Sequence, residues 1–263
     1  MSWTTHVDEF VYENGLAIDE SIHKNVVKSI ITKNKDKRSL PCLLVTGVPG
    51  SGKTTLAIHI AETIEGRKLD LELEDHPQIA MGGQELMEKA LICYERKHKV
   101  IIYDEASDLN NKRQLSRLNN DLINFFAKAR SLGLIIIICL QNVKHIDGTI
   151  FELGVIDGML YCKEKHPTFT QVGIYDVPQI AYILHHAYKS GRMWWLPYKL
   201  VGPYAYGKFK ALPPDRDLKL RTLTLMQKRE DIKKRNDKRK KEEERIIAKI
   251  EKIEKNMPVP INL

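Results

Sequence analysis

The chain has 263 residues, a hydrophobic fraction of 43% and a formal net charge of +8. This length accommodates one large α/β domain with an appendage, and the apolar fraction is that of a globular chain rather than a disordered one. No run reaches the ~18 apolar residues that a membrane-spanning helix needs, and the acidic opening MSWTTHVDEF does not read as a signal peptide.

Residues 1–16 read as irregular. From Asp19, a helix cap by residue type in DESIHKNVVKSIITKNK, the residues Ile22, Val26, Val27, Ile30 and Ile31 share one helical face. NKDKRSLP is a turn before the first core strand, CLLVT. GVPGSGKTT (47–55) comes next, and then an amphipathic helix, LAIHIAETI. RKLDLELED alternates apolar and polar residues and is expected to be a strand with one wet face, through Leu69, Leu71 and Leu73. GGQELMEKALICYERK predicts a helix, KVIIYDEASD a buried strand ending in acids, and QLSRLNNDLINFFAKARSL an amphipathic helix closed by Gly133. LIIIICL is a second buried strand, ending at Gln141. DGMLYCKEK and TFTQVGIYD predict two more strands around the Pro167 turn, and VPQIAYILHHAYKSG a helix stopped by Gly191. Residues 192–215, rich in Pro, Gly and aromatics, read as an extended surface segment. Its Trp194, Trp195, Tyr198, Tyr204 and Tyr206 could either pack or stack on bases.

Strands alternating with helices, several of them continuous apolar runs, predict an α/β fold of the P-loop NTPase type. Its mostly parallel sheet would be covered by helices on both faces, with the phosphate site at the carboxyl ends of the strands. From about Leu218 the composition changes. Residues 216–255 hold sixteen Lys/Arg and nine Asp/Glu, a net +7, so nearly all the excess charge lies there. This stretch predicts a long solvated helix held partly by charge pairs one turn apart. The organisation expected is an N-terminal helical extension (1–38), a P-loop ATPase domain (39–215) and a basic helical tail (216–263). Cys42, Cys93, Cys139 and Cys162 form no C-x-x-C pair and read as buried free thiols in a reducing compartment rather than a zinc site. His185 and His186 lack metal-ligand spacing.

The chemistry concentrates in three stretches. Gly47-x-x-x-x-Gly52-Lys53-Thr54 is the phosphate-binding pattern. Its glycines let successive N–H groups face one anion, and the helix after them adds its positive end. Gly47, Val48, Pro49, Gly50, Ser51, Gly52, Lys53, Thr54 and Thr55 are the candidate nucleotide contacts. Lys53 is expected to reach the β- and γ-phosphates and Thr54 to ligate Mg²⁺. Next, VIIYDEASD delivers Asp104, a second candidate for holding Mg²⁺, and Glu105, a general base for the attacking water. The bland alternative is two acids capping a turn. Last, Gln141 at the tip of LIIIICLQN would sense the γ-phosphate, with Asn142 beside it. ATP is expected rather than GTP because no N-K-x-D pattern occurs.

Taken together, GVPGSGKTT, VIIYDEAS and ARSLGLIIIICLQN resemble the HerA–FtsK superfamily of DNA-pumping ATPases, over roughly residues 40–180. That group includes chromosome translocases, conjugation coupling proteins, viral packaging motors and Zot-like phage assembly proteins. Its members carry a helix ending in Arg-x-x-Gly, a buried strand and a Gln at the strand tip. Here these are Arg130-Ser131-Leu132-Gly133, residues 134–140 and Gln141, although Asn142-Val143 replaces the usual Arg-Pro. The resemblance implies ATP hydrolysis driving double-stranded DNA through a homo-oligomeric ring, pentameric or hexameric. Arg130 would act as an arginine finger towards a neighbouring subunit, with Arg113 and Arg117 as rivals. Compact viral packaging ATPases are the nearest functional fit, in a host cytoplasm or on a virion. The tail would meet DNA, acidic lipid, or a portal, capsid or membrane protein. An AAA-type helicase loader or initiator, a Zot-like assembly ATPase and an ATP-switched scaffold are the alternatives. A loader is expected to continue into an all-helical lid, where this sequence predicts strands.

Overall fold

The computed structural model describes residues 18–35, 41–71, 76–104, 106, 117–143, 146, 148–165, 169–189 and 201–255. Its strands form one seven-stranded sheet in the order β2-β3-β4-β1-β5-β6-β7. The strands are β1 (Cys42–Gly47), β2 (Ile79–Ala80), β3 (Val100–Tyr103), β4 (Ile135–Leu140), β5 (Ile156–Lys165), β6 (Thr170–Tyr175) and β7 (Ala205–Phe209). The run from β2 to β5 is parallel throughout; β6 and β7 add on antiparallel. The fold class expected from the sequence is therefore the one observed.

Every residue of β1, β3 and β4 is buried. That is why these strands read as unbroken apolar runs: each has a helical layer on both faces and no wet side to encode. The described helices before and between the strands are α1 (Glu20–Ile22, continuing through a π-turn, His23–Val27, into Lys28–Lys35), α2 (Lys53–Glu65), α3 (Gly83–Glu95), α4 (Arg117–Lys128), α5 (Gly148–Glu152) and α6 (Val177–Lys189). Helix α1 begins as its sequence predicts, with the Asp19 carboxylate accepting from Ile22 N at 3.0 Å. It is fastened to β7 by Asp19 N donating to Lys208 O at 3.0 Å and Lys208 N donating to the Asp19 carboxylate at 2.7 Å. Helix α4 passes into a 3-10 turn, Ala129–Leu132, and Gly133 reverses the chain at φ +64°.

Two expectations are corrected. The described part of RKLDLELED, residues 67–71, is not a strand. Leu69 and Leu71 are buried, but Leu69 N donates to the Glu62 carboxylate at 2.9 Å instead of to a neighbouring strand. The edge strand is Ile79–Ala80, held where Ile102 N and Asp104 N donate to Gln78 O and Ala80 O, each at 2.8 Å. Leu73 lies outside the described residues. Within 192–215, read as plain extended chain, 205–209 is a regular strand; Trp194, Trp195 and Tyr198 are outside the described residues.

The backbone separates into two compact units, residues 1–214 and 215–263. The second contains helix α7 (Pro214–Lys255), which starts four residues before the composition shift at Leu218. An Asp217–Arg221 ion pair at 2.7 Å braces its first turns. Among the described residues no helix is long and apolar enough to cross a membrane.

Candidate active site

Strand β1 ends in a loop whose conformation only glycine adopts easily. Gly47, Gly50 and Gly52 have φ of +148°, +79° and +85°. Space is as demanding as the torsion at Gly47, where a Cβ would lie 2.6 Å from Cys162 O and 2.7 Å from Ser51 Oγ. At Gly50 the same atom would meet nothing within 4 Å, which is the open side of the loop. Ser51 N donates to Val48 O at 3.2 Å to close the turn. The first helical bond, Leu56 N to Gly52 O at 2.9 Å, then starts α2. By helix geometry the N–H groups of Gly52, Lys53, Thr54 and Thr55 have no partner inside the helix, so they and the helix dipole present positive charge to one place.

The Lys53 ammonium donates to Gly47 O and Val48 O, each at 3.0 Å, so it arches back over the loop it would share with an anion. The Thr54 hydroxyl lies 3.1 and 3.0 Å from the two carboxylate oxygens of Asp104. These residues are fifty positions apart. They meet because β4 inserts between β1 and β3, bringing the carboxyl ends of all three strands level. Asp104 is buried, and its backbone is tied to β2 through Ala80 O. A hydroxyl and a carboxylate converging beside a cluster of N–H donors suit a hard divalent cation held between protein oxygens and a phosphate. The Ser51 hydroxyl oxygen is buried with no hydrogen-bond partner among the described residues, a polar atom suited to a phosphate oxygen. The residues present therefore fit a nucleoside triphosphate with Mg²⁺.

Gln141 is exposed at the tip of β4, on the strand between those bearing Thr54's loop and Asp104, while the adjacent Asn142 is buried. The backbone of Arg130 lies in the 3-10 turn that leads into β4. Its side chain is outside the described part, as are Glu105 and Arg113 entirely and the side chain of Arg117. All four cysteines are free and buried. Burial pushes the Cys139 thiol well above its usual range, and the Asp104 carboxylate adds to the effect. Burial raises Cys162 to about 12 against the opposing pull of Lys53. Neither is a thiolate near neutral pH, so no sulfur nucleophile competes at this site.

One supporting residue carries no local motif. A Cβ at Gly52 would lie 3.1 Å from Phe209 Cζ, so the last residue of β7 is packed against the phosphate loop. Phe209 also meets the buried His59 ring of α2 edge-on at 6.5 Å, and His59 Nε2 lies 3.1 Å from Lys210 O. The one signal available for it was the alternation in AYGKF, small or apolar residues inward and Tyr206 and Lys208 outward.

The strand order, the glycine loop between β1 and α2, and the Thr54–Asp104 pair together define a P-loop NTPase fold with its nucleotide site. The model of the family described as "ATPase family associated with various cellular activities (AAA)" matches residues 43–163. Replication factor C subunit 3 of Saccharomyces cerevisiae is 31% identical over 104 residues, 37% of this chain and 31% of that protein. The chain thus spans about a third of the length of that curated relative. Among solved structures, the genome packaging NTPase B204 of Sulfolobus turreted icosahedral virus 2, in complex with ATP-gammaS, matches with a TM-score of 0.37 and 13% identity. The match covers 52% of this chain and 93% of that one. The N-terminal domain of zonular occludens toxin from Neisseria meningitidis matches with a TM-score of 0.33 and 16% identity, covering 52% and 84%.

Proposed function

We propose that this chain hydrolyses ATP with Mg²⁺ and uses the energy to move double-stranded DNA through a ring of five or six copies, as in viral genome packaging or a related DNA transfer. The observation that carries the reading is the continuation of the chain beyond the phosphate-sensing strand. Among the described residues, β5 is followed by two antiparallel strands that extend the sheet, with α6 between them, rather than by helices alone, in a chain that also has the Arg130-to-Gln141 arrangement of the DNA-pumping ATPases.

The loop N–H groups and Ser51 bind and orient the triphosphate, while Val48 and Pro49 shape the loop around it. Lys53 swings from the Gly47 and Val48 carbonyls to the β- and γ-phosphates. Thr54 and Asp104 would hold Mg²⁺, which would neutralise charge on the phosphates. Glu105, next in the chain after Asp104, accepts the proton of the attacking water. Gln141 reports whether the γ-phosphate is present. Arg130 reaches the site of the neighbouring copy and stabilises charge that develops as the phosphoryl group departs. Activity therefore requires assembly. The body works in the cytoplasm or on a virion, and the basic tail 216–263 contacts DNA or a portal, capsid or membrane protein.

The test is duplex-dependent turnover combined with displacement of a third strand annealed at the far end of a long duplex. ATP-dependent displacement, with turnover rising with duplex length, is the expected result. Absence of displacement despite active hydrolysis overturns the motor. A second reading, an AAA-type loader, is favoured by the AAA family match over residues 43–163. It predicts stimulation that saturates on short duplexes, without displacement.

A further inference from the structure

We propose that the outer face of β5–β6–β7, beside the phosphate loop, is the surface that holds the phosphates of duplex DNA; this rests on the DNA-motor reading above. Strands β6 and β7 alternate, and β5 does so up to a register shift between Cys162 and Lys165. One face turns Cys162, Val172, Gly207 and Phe209 inward, and all are buried. The other face is buried at Met159, Gly173 and Tyr175, with Tyr161 half-buried against the core, and opens at Lys163, Phe169, Gln171, Tyr206 and Lys208, of which none is fully buried and Tyr206 is 49% exposed. Registers place Tyr161, Gly173 and Tyr206 in one row across the strands, and Gln171 beside Lys208 in the next. Adjacent strands lie ~4.8 Å apart, so the outer members of a row are separated by ~10 Å. At Gly173 a Cβ would lie 3.1 Å from Tyr175 Cε2 and 3.3 Å from Pro203, so those groups cover the middle of that row, and the open part of the face is Lys163 and Tyr206 with the Gln171–Lys208 row.

Both ammonium groups sit on aromatic rings: Lys163 Nζ is 4.4 Å from the centroid of Tyr206, and Lys208 Nζ is 4.7 Å from that of Phe169. This decides which part of a nucleic acid the face suits. Rings already covered by a cation are not free plates for stacked bases, so the face offers cationic heads, with Gln171 as a hydrogen-bonding partner between them. Such a surface meets a sugar–phosphate backbone and reads no sequence, which is what a motor on arbitrary duplex needs. The acids of β5 are Asp157, four residues before Tyr161 and ~13 Å along the strand, and Glu164, next to Lys163, whose side chain is outside the described part. Asp19 is close to Lys208, but its carboxylate is engaged by the backbone N–H groups of Ile22 and Lys208.

The same strands touch the nucleotide site. Cys162, between Tyr161 and Lys163, has the carbonyl that would lie 2.6 Å from a Cβ at Gly47. Phe209, next to Lys208, packs on Gly52. A displacement of the phosphate loop therefore reaches each lysine across a single residue, on two strands at once. This gives DNA contact a short route to the rate of hydrolysis.

The experiment compares the full chain with a Lys163→Gln/Lys208→Gln variant, which retains most of each stem over its ring. Binding to labelled duplex and to single strand of equal length is followed by fluorescence anisotropy across a salt series, and ATP turnover is measured with and without duplex. The expected result is unchanged basal turnover, loss of the duplex-stimulated part, a duplex affinity about tenfold lower at low salt, and a salt slope shallower by ~2. If wild type binds duplex but the variant keeps its affinity, slope and stimulation, this face is not the contact while the motor reading stands. If wild type binds no duplex, both fall. A deficit confined to single strand overturns the duplex assignment, and loss of basal turnover would show that the lysines support the site rather than the DNA.

Discussion

The two halves of the sheet are built differently. From β2 to β1 the strands are parallel and buried, and their polar groups are held back to the carboxyl ends, where Thr54 and Asp104 meet. From β5 to β7 the sheet changes to antiparallel pairing, and one face stays partly open and carries Lys163, Tyr206 and Lys208. The difference arises from how each half is covered. A parallel strand comes with a crossover helix that seals its face, whereas an antiparallel pair such as β6 and β7, although α6 lies between them in the chain, can leave part of a face to solvent. The sealed half sets a charge-rich site at its carboxyl ends; the open half offers a surface. They join at the phosphate loop, where Cys162 and Phe209 of the open half lie against Gly47 and Gly52 of the sealed half.

The sharpest way to break this comparison is to disable the sealed half alone. Glu105→Gln should lower kcat by ~10²–10⁴ with nucleotide affinity retained, because the amide cannot accept the proton from water. Lys53→Ala should remove most ATP binding. Single-turnover hydrolysis beside nucleotide binding checks both, and wild-type turnover in the Gln variant would remove Glu105 from its role. Arg130→Ala should cost ~10³ in kcat if the finger acts between copies. Mixing it with Lys53→Ala protein should then restore part of the activity, since some interfaces combine an intact loop with an intact arginine. Mixed assemblies on gel filtration without recovered turnover would count against the role.

The junction gives smaller effects. Phe209→Ala empties a buried site between β7 and the loop helix and should cost ~3–5 kcal/mol, whereas Tyr206→Ala, on the open face, should stay within ~1 kcal/mol. Equal denaturation midpoints would mean that β7 does not brace the loop. Within the loop, Gly50→Ala has open space and should cost only the left-handed backbone penalty, ~1–2 kcal/mol. Gly47→Ala must also move either the loop or the Cys162 carbonyl, so it should lower the thermal midpoint further and weaken nucleotide binding more. The smallest effect is chemical. The thiols of Cys139 and Cys162, buried and raised, should resist alkylation in the folded protein at neutral pH and react only after unfolding, as intact mass would register.

What the sequence determined by itself was whatever short range encodes. The phosphate loop was legible because its torsions and donors belong to nine consecutive residues, Gly47 to Thr55. The buried strands β1, β3 and β4 were legible because burial on both faces forces an unbroken apolar run. The Asp19 cap needed only Ile22, three positions away. The sequence also offered Asp104 as Thr54's partner through spacing and type. Their 3.0 Å approach, however, required β4 to enter between two strands that are distant in the chain. Local alternation misled at Leu69 and Leu71, because both are buried while the Leu69 N–H goes to the Glu62 side chain and no strand forms. Strand β7 lay hidden for the opposite reason. Five residues with a central glycine give a weak periodic signal, and what makes them a strand is pairing with β6, 31 to 39 positions earlier. Only the tertiary structure could bring Phe209 to Gly52 and set Lys163 and Lys208 on one face: such contacts are decided by which strands become neighbours, and no local stretch of chain carries that information.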